Sequence, residues 1–194
     1  MSTPTLIAFA GSTRQNGLNR GALSLAVDGA RTAGANVEVV DLRDYAMPLY
    51  DADFHSANGV PNSVCMLRAK LIAAHGLLVA SPEYNASITP LLKNTIDWLS
   101  QSVNEGVGVG GGRAPFENKI VGLMGASAGA FGTIRALPHV SSIFSNLGSF
   151  VLPVLAVPYA DKLLNLDGSV ANDRAASGLR ALGARVAKIC VQTN

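Results

Sequence analysis

Residues 6–20, LIAFAGSTRQNGLNR, contain the most informative junction in this chain. An apolar run over residues 6–9 passes into a polar loop with two glycines, and an apparent helix follows at residues 22–27. α/β proteins hold phosphate at such junctions, because the first amides of the helix are free to donate hydrogen bonds. No Gly-Lys-Ser/Thr follows, so the loop lacks the lysine and the metal-binding hydroxyl of nucleotide triphosphatases. The residues therefore predict a phosphate site of another kind.

Composition restricts the protein to a few classes. Of its 194 residues, 48% are hydrophobic and 14% are charged, which suits one domain over residues 1–194 with a sheet covered on both faces. The net charge is +2 and the basic residues are scattered, so we expect no nucleic-acid partner. No apolar run could cross a bilayer, and MSTPT at the start lacks the features of a secretion signal. We expect a cytoplasmic protein without membrane association, whose Cys65 and Cys190 remain thiols.

Apolar strand patterns alternate with helical patterns along the chain. We predict strands at residues 5–10, 37–42, 77–81, 120–125 and 150–154. We predict helices at residues 18–33, 62–74, 90–102, 131–146 and 172–191. Because each connection between parallel strands has to cross over the sheet, this alternation predicts an α/β three-layer sandwich with a five-stranded parallel sheet.

Three polar loops follow the first, third and fourth predicted strands, at residues 10–19, 81–89 and 125–132. In a doubly wound sheet, ligands bind at the edge formed by the carboxyl ends of the strands. The strand order 2-1-3-4-5 places these three strands side by side. With that order, we expect the three loops to form one site.

The first loop carries donors for a phosphate dianion. Ser12, Thr13 and Asn19 offer hydrogen bonds, and Arg14 offers a guanidinium that can bind two oxygens at once. With the free amides at the helix start, they can neutralise a dianion without a metal. This set suits a terminal phosphate monoester on a ligand that stays intact. The alternative is an ordinary polar turn that caps a helix.

The second loop, SPEYNASITP at residues 81–90, follows an apolar strand. Its backbone donors and acceptors, with Tyr84 as an aromatic wall, suit the edge of a flat heterocycle. The alternative is that Tyr84 packs against the protein and Asn85 stabilises a turn. These residues alone leave both interpretations open.

Together these motifs resemble the NADPH-dependent FMN reductase family, a group of flavodoxin-like enzymes that includes reductases of quinones, azo dyes and chromate. The resemblance rests on GSTRQNGLNR, SPEYNASITPLLKNTIDW and GASAGAFG, in that order and spacing, and LRDYAMPLYDAD is similar to the family's segment after the second strand. PEYN followed by LKNTIDW is the most specific part. The resemblance as a whole covers residues 5 to about 135.

The resemblance implies FMN as cofactor, bound by all three loops. The phosphate is assigned to Ser12, Arg14, Gly17, Leu18 and Asn19, the ring to Pro82, Glu83, Tyr84 and Asn85, and the far side of the ring to Ser127, Ala128 and Gly129. The family usually has a serine where this chain has Gly17. The Gly17 amide can serve instead, at a cost of about 1 kcal/mol in affinity.

The implied activity is an NAD(P)H-dependent oxidoreductase. NADPH or NADH is a transient co-substrate that gives hydride to the flavin, and a small acceptor such as a quinone, an azo compound, free flavin or chromate then collects the electrons. No side chain has to act as acid, base or nucleophile, and we assign no catalytic residue. The resemblance also implies a homodimer or homotetramer, in which another subunit completes the open side of the flavin.

Two other functions remain possible for a flavin-binding chain. A flavodoxin-like electron carrier would pass single electrons to protein partners, but such carriers are strongly acidic, whereas this chain has a net charge of +2 and Arg14 in its phosphate loop. A non-catalytic flavin-binding module would use the same residues without turnover.

Two further motifs point to other chemistry. Residues 125–129, GASAG, match the nucleophile elbow of serine esterases. That fold needs an acid and then a histidine after the serine, and no Asp or Glu lies between Ser127 and His139. The chain therefore cannot supply the triad in order. The three histidines share no metal-ligand spacing with each other or with the cysteines, so we predict no metal site.

Overall fold

The structure, a computed structural model, describes residues 3–163 and 173–192. The strands are β1 Thr5–Ala10, β2 Asn36–Val40, β3 Gly76–Ala80, β4 Ile120–Ala126, β5 Phe150–Val151 and β6 Leu155–Val157. The helices are α1 Leu18–Thr32, α2 Ala52–Asn58, α3 Asn62–Ala73, α4 Pro90–Leu99, α5 Ala136–Asn146, α6 Ala160–Leu163 and α7 Asp173–Gln192, with a 3-10 turn at Leu42–Asp44.

The sheet has the predicted architecture. All pairings are parallel, and the order is β2-β1-β3-β4-β5, with β6 also paired to β4. Helices α1 and α7 pack on one face, and α3, α4 and α5 pack on the other. This confirms the three-layer α/β sandwich of order 2-1-3-4-5, and it places the ends of β1, β3 and β4 side by side.

Strand β1 shows why the central strands are continuously apolar. Leu6 and Ala8 face the α1 and α7 layer, whereas Ile7 and Phe9 face the opposite layer. All four side chains are buried. Because both faces of the sheet are covered, neither set of alternating positions can be polar.

Helices α1 and α7 approach closely through glycine. A Cβ added to Gly29 would lie 2.0 Å from the carbonyl oxygen of Arg180, and one added to Gly183 would lie 1.8 Å from that of Ala26. Real Cβ atoms do not come so near, so each helix presents a glycine to the backbone of the other.

The fifth strand differs from its prediction. Residues 150–154 are not one strand: β5 ends at Val151, and β6 starts at Leu155 and pairs with a later part of β4. Pro153 lies between the two and has no N–H to donate, which explains the break in the ladder. The edge position of the sheet is therefore filled by two short strands.

Several helices also differ: α4 ends at Leu99 instead of residue 102, and α6 was not predicted. Helix α5 begins at Ala136 instead of residue 131, because Gly132 and Thr133 have φ angles of 53° and 75°, which no α-helix contains. Helix α2 was not predicted at all. It lies in the loop after β2, and the Asp51 side chain caps it by accepting a hydrogen bond of 2.7 Å from the Phe54 amide. The predicted start of the last helix, residue 172, lies outside the described residues.

The glycine-rich loop between α4 and β4 is held by a buried arginine. Arg68 donates hydrogen bonds to the carbonyl oxygens of Leu99, Gly108, Gly110 and Gly111. Val103 and Gly110 also pair with each other as an isolated bridge. Residues 106–111, GVGVGG, thus belong to a turn that is bound to α3 through Arg68.

Two further features concern the cysteines and the lengths of the helices. Cys65 and Cys190 are free thiols, and burial raises the pKa of Cys190 to about 11. Among the described helices, none is long and apolar enough to cross a membrane.

Candidate functional site: a cavity at the carboxyl ends of β1, β3 and β4

A cavity of about 150 Å³ lies at the edge of the sheet where the predicted loops meet. Its lining comes from the first loop and the start of α1, from the second loop and from the end of β4. The lining residues are Ser12, Arg14, Gly17, Leu18, Asn19, Arg20, Pro82, Tyr84 and Ala126. The structure therefore brings the first two predicted loops together in one site.

The first turn of α1 points free amides at this cavity. Gly17 is the N-cap residue and makes no side-chain cap, and its carbonyl oxygen accepts hydrogen bonds from the amides of Arg20 and Gly21 at 2.9 and 3.2 Å. In the part of the chain that the structure describes, the amides of Leu18 and Asn19 have no acceptor. Unpaired amides at a helix N-terminus attract anions.

The Asn19 side chain does not face the cavity freely. Its Nδ2 donates to the carbonyl oxygen of Ala126, and its Oδ1 accepts from the Ala126 amide, both at 2.9 Å. The residue is 7% exposed. Asn19 therefore joins the start of α1 to the end of β4, and its backbone amide remains available to a ligand.

Two arginines line the cavity, in different surroundings. Arg20 forms an ion pair with Asp41, which also pairs with Arg43 at 2.6 Å. Hydrogen bonds from Arg43, opposed by burial and assisted by Arg20, hold the pKa of Asp41 well below its usual value. The guanidinium of Arg14 is exposed and has no partner within residues 3–163 and 173–192. Arg14 is therefore free to bind an anion, and Arg20 is held in place.

Arg20 was missed in the sequence analysis. The available signal was its place in the first turn of α1, one residue after Asn19. It also lines a second cavity of about 410 Å³ beside α1 and β2. Two ion pairs lie in the lining of that cavity, Arg20 with Asp41 and Asp28 with Arg180, the latter at 3.1 Å.

The second loop contains a strained turn. Tyr84 and Ser87 exchange two backbone hydrogen bonds of 3.0 Å around Asn85 and Ala86, whose φ angles are 49° and 63°. Positive φ at both central residues defines a type I′ turn, which asparagine tolerates well and alanine does not. The alanine costs about 1–2 kcal/mol. The amides of Asn85 and Ala86 have no acceptor among the described residues, and the Tyr84 side chain is 53% exposed.

Glu83 lies outside the lining of the cavity. Its carboxylate pairs with Arg135, with 2.7 Å between Oε1 and Nε, and accepts the backbone amides of Arg135 and Ala136 at 3.1 and 3.2 Å. Burial raises the pKa of Glu83, but the hydrogen bonds from Arg135 and Ala136 outweigh it, and the pKa falls below its usual value. Glu83 thus connects the second loop to the start of α5.

Of the third predicted loop, Ala126 lines the cavity, whereas Ser127, Ala128 and Gly129 are not among its lining residues. The backbone of this loop is tied to the residues after β6: the Ser127 amide donates to Val157 at 3.2 Å, the Tyr159 amide to Gly129 at 3.2 Å, and the Ala160 amide to Ser127 at 2.9 Å. Tyr159 is 49% exposed and has a φ of 50°. Strained residues of this kind concentrate at functional sites. Tyr159 belongs to no motif, and no sequence signal pointed to it.

Ser127 has no catalytic partner in the described chain. Its Oγ donates to the Gly129 carbonyl oxygen at 3.3 Å, while His139 Nδ1 lies 2.9 Å from the Oγ of Ser87. The helix that should follow a nucleophile elbow begins only at Ala136. The GASAG motif is therefore a loop and not an esterase site. No group of three potential metal ligands occurs among the described residues.

Comparison with known proteins identifies the family of the chain. The model of the NADPH-dependent FMN reductase family matches residues 4–162. The NAD(P)H-dependent FMN reductase of Pseudomonas aeruginosa is 33% identical over 88% of this chain and 86% of that protein. A quinone reductase of Escherichia coli is 34% identical over 63% of this chain and 61% of its own.

A solved structure shares the fold. The flavoenzyme NAD(P)H:(acceptor) oxidoreductase FerB from Paracoccus denitrificans superposes with a TM-score of 0.78 over 98% of both chains, at 21% sequence identity. Since the family model covers residues 4–162, most of the chain, the protein belongs to the NADPH-dependent FMN reductase family.

Proposed function

We propose that the protein is an FMN-dependent oxidoreductase that uses NADPH or NADH to reduce a small acceptor such as a quinone, free flavin, an azo compound or chromate. The observation that carries this proposal is the cavity in which Arg14 and the free amides of α1 lie beside Pro82 and Tyr84. An anion-binding corner next to an apolar and aromatic wall suits a phosphate ester of a flat ring.

The donor set fits the phosphate of FMN. Arg14 is exposed and unpaired in the described chain, Ser12 has a hydroxyl, and Leu18 and Asn19 have free amides. Arg20 adds a second positive charge, held by Asp41. A Cβ at Gly17 would come within 3.2 Å of the Arg14 carbonyl oxygen, so glycine fits this turn closely. No metal is needed to neutralise a dianion here.

The remaining predicted residues surround the ring in this proposal. Pro82 and Tyr84 line the cavity, and the free amides of Asn85 and Ala86 are available to oxygen or nitrogen atoms at the ring's edge. Ser127, Ala128 and Gly129 would close the far side. In this proposal Glu83 does not contact the ring, and its carboxylate binds Arg135 instead.

In the proposed reaction no side chain has to act as an acid, a base or a nucleophile. FMN, when bound, supplies the site that accepts hydride from NAD(P)H and passes electrons to the acceptor. The protein binds the phosphate, orients the ring and leaves one side open beside the exposed Tyr84. An open, shallow site is compatible with acceptors of several shapes.

The proposal includes three features of the whole protein. The chain acts as one domain over residues 1–194, in the cytoplasm, where Cys65 and Cys190 stay reduced. It forms a homodimer or homotetramer. Large exposed apolar side chains near the site support association, and they are Tyr84, Phe131, Ile134 and Tyr159.

The test is identification of the bound cofactor, followed by turnover. Acid extraction of the purified protein and mass spectrometry should release FMN, and protein stripped of cofactor should quench the fluorescence of added FMN. The loaded protein should then oxidise NADPH steadily with a quinone and no partner protein. Failure to take up FMN in excess would contradict the proposal. FMN binding without steady turnover would favour an electron carrier or a binding module.

A further inference from the structure

The strained turn at residues 84–87 is fastened at both ends to one face of α5. Arg135 and His139 are four residues apart, so they project from the same side of the helical surface. Arg135 reaches Glu83, just before the turn, and His139 reaches Ser87, its last residue. The two contacts span 52 residues of sequence and enclose Asn85 and Ala86 between them.

In the contact between Glu83 and α5, Arg135 pairs with the carboxylate and the carboxylate caps the helix. Arg135 occupies the N-cap position of α5, but its own side chain makes no cap. The carboxylate of Glu83 takes that place by accepting the amides of Arg135 and Ala136. The Glu83 side chain is 7% exposed, whereas Arg135 is 51% exposed. Because the acid is buried and accepts three donors, this pair differs from an ordinary surface ion pair.

The Arg135 guanidinium also contacts an aromatic ring. It lies 4.5 Å from the ring centroid of Phe131, a cation–π contact. The guanidinium therefore contacts both an aromatic ring and a carboxylate whose side chain is 7% exposed. An arginine with these two contacts limits the freedom of Glu83 and hence the start of the turn.

We propose that Arg135 and His139 are positioning residues for the flavin: from α5, they hold the turn at residues 84–87 so that the free amides of Asn85 and Ala86 stay fixed donors for the ring. This inference rests on the proposed function. Preorganised donors bind best to the form of a ligand that carries more negative charge. FMN gains negative charge on reduction, so loss of the two side chains should weaken binding of reduced FMN more than that of oxidised FMN.

The test uses the full chain with and without FMN. We would prepare Arg135→Gln, His139→Ala and Ser87→Ala, with Arg135→Lys as the conservative variant. Lys70→Ala is the control, because Lys70 forms an ion pair with Glu38 on the edge strand, outside the lining of the cavity. Amide hydrogen exchange at Tyr84 and Ser87 in cofactor-free protein reports the turn itself. FMN affinity and the midpoint potential of bound FMN report its effect.

The expected result is faster exchange at both amides in Arg135→Gln and His139→Ala, with none in the control. Reduced FMN should lose about tenfold more affinity than oxidised FMN, which makes the two-electron potential about 30 mV more negative. Arg135→Lys should restore part of this shift. Ser87→Ala and His139→Ala combined should cost no more than either alone, because each removes the same hydrogen bond.

Unchanged exchange and potential in folded variants that bind FMN would overturn the inference and leave the proposed function standing. Equal losses for oxidised and reduced FMN would also overturn it, since they indicate a structural role alone. Wild-type protein that binds no FMN would overturn both.

Discussion

Arg14 and Arg20 line one cavity, but only Arg20 is held in an ion pair among the described residues. Arg20 is held by Asp41, whose carboxylate also binds Arg43. Arg14 has no such partner in the described residues, and its amide is bonded only to the Ser12 hydroxyl at 3.2 Å. A ligand phosphate can therefore engage all the donors of Arg14, whereas Arg20 provides a fixed positive field.

We predict that Arg14→Ala weakens FMN binding by about 1.5–3 kcal/mol, because a charge-assisted contact is lost. Fluorescence quenching of FMN by cofactor-free protein measures the change. The fold should be unaffected, since Arg14 is exposed and its side chain supports no other residue. Lys70→Ala is the control for loss of one positive charge. Equal affinity in Arg14→Ala and wild type would remove Arg14 from the phosphate site.

Single residues also show where sequence reasoning reaches its limit. Asn19 and Glu83 were both assigned to the cofactor, but the structure directs their side chains to Ala126 and to Arg135. The partners lie 107 and 52 residues away along the chain. A polar residue in a loop shows that a hydrogen bond will form, but its partner depends on which elements become neighbours.

Among the elements, the α1–α7 pair depends on glycine contacts. Gly183 of α7 faces the Ala26 carbonyl oxygen of α1, where an added Cβ would lie 1.8 Å away. Gly178 belongs to the same helix, but a Cβ there would meet only the Leu155 side chain, at 3.7 Å. The two positions make a matched pair that separates helix propensity from helix packing.

We predict that Gly183→Ala lowers the free energy of unfolding by about 2 kcal/mol, since the clash outweighs the gain in helix propensity. Gly178→Ala should raise it by up to about 1 kcal/mol. Urea unfolding followed by circular dichroism measures both. If the two variants changed stability alike, the close approach of α1 and α7 would be wrong.

The elements that were predicted well are those with local signals. Helix α4 begins at Pro90, the predicted residue, with proline in its first turn, and the Thr89 hydroxyl caps it by accepting a hydrogen bond from the Leu92 amide at 3.2 Å. The start of α5 had no such signal. Its cap is Glu83, which belongs to another loop. Pro153 is a local signal for the division of the fifth strand, because it has no N–H for the ladder.

For the whole molecule, two carboxylates link stability to pH. The pKa values of Asp41 and Glu83 are both below their usual range, chiefly through hydrogen bonds from Arg43 and Arg135 that outweigh burial. A group with a depressed folded-state pKa stabilises the fold above its unfolded pKa, about 3.9 for Asp and 4.3 for Glu. That contribution is lost as the pH falls further.

We therefore predict that the free energy of unfolding is steady near neutral pH and decreases as the pH falls below about 4. Asp41→Asn should be less stable than wild type at pH 7, and its stability should fall less steeply in acid. Urea titrations between pH 7 and pH 3 measure the slopes. Glu105→Gln is the control, since Glu105 is exposed and forms no ion pair among the described residues. Parallel curves for Asp41→Asn and wild type would contradict the linkage.

The amino-acid sequence by itself determined the alternation of strands and helices, the covered sheet and the three loops at its edge. These follow from apolar periodicity and from caps, which act over a few neighbouring residues. The tertiary structure alone decided that Asn19 binds Ala126, that Asp41 holds Arg20 and that Glu83 caps α5. Such pairs form between distant parts of the chain, and their energy depends on distances that exist only after the layers have packed.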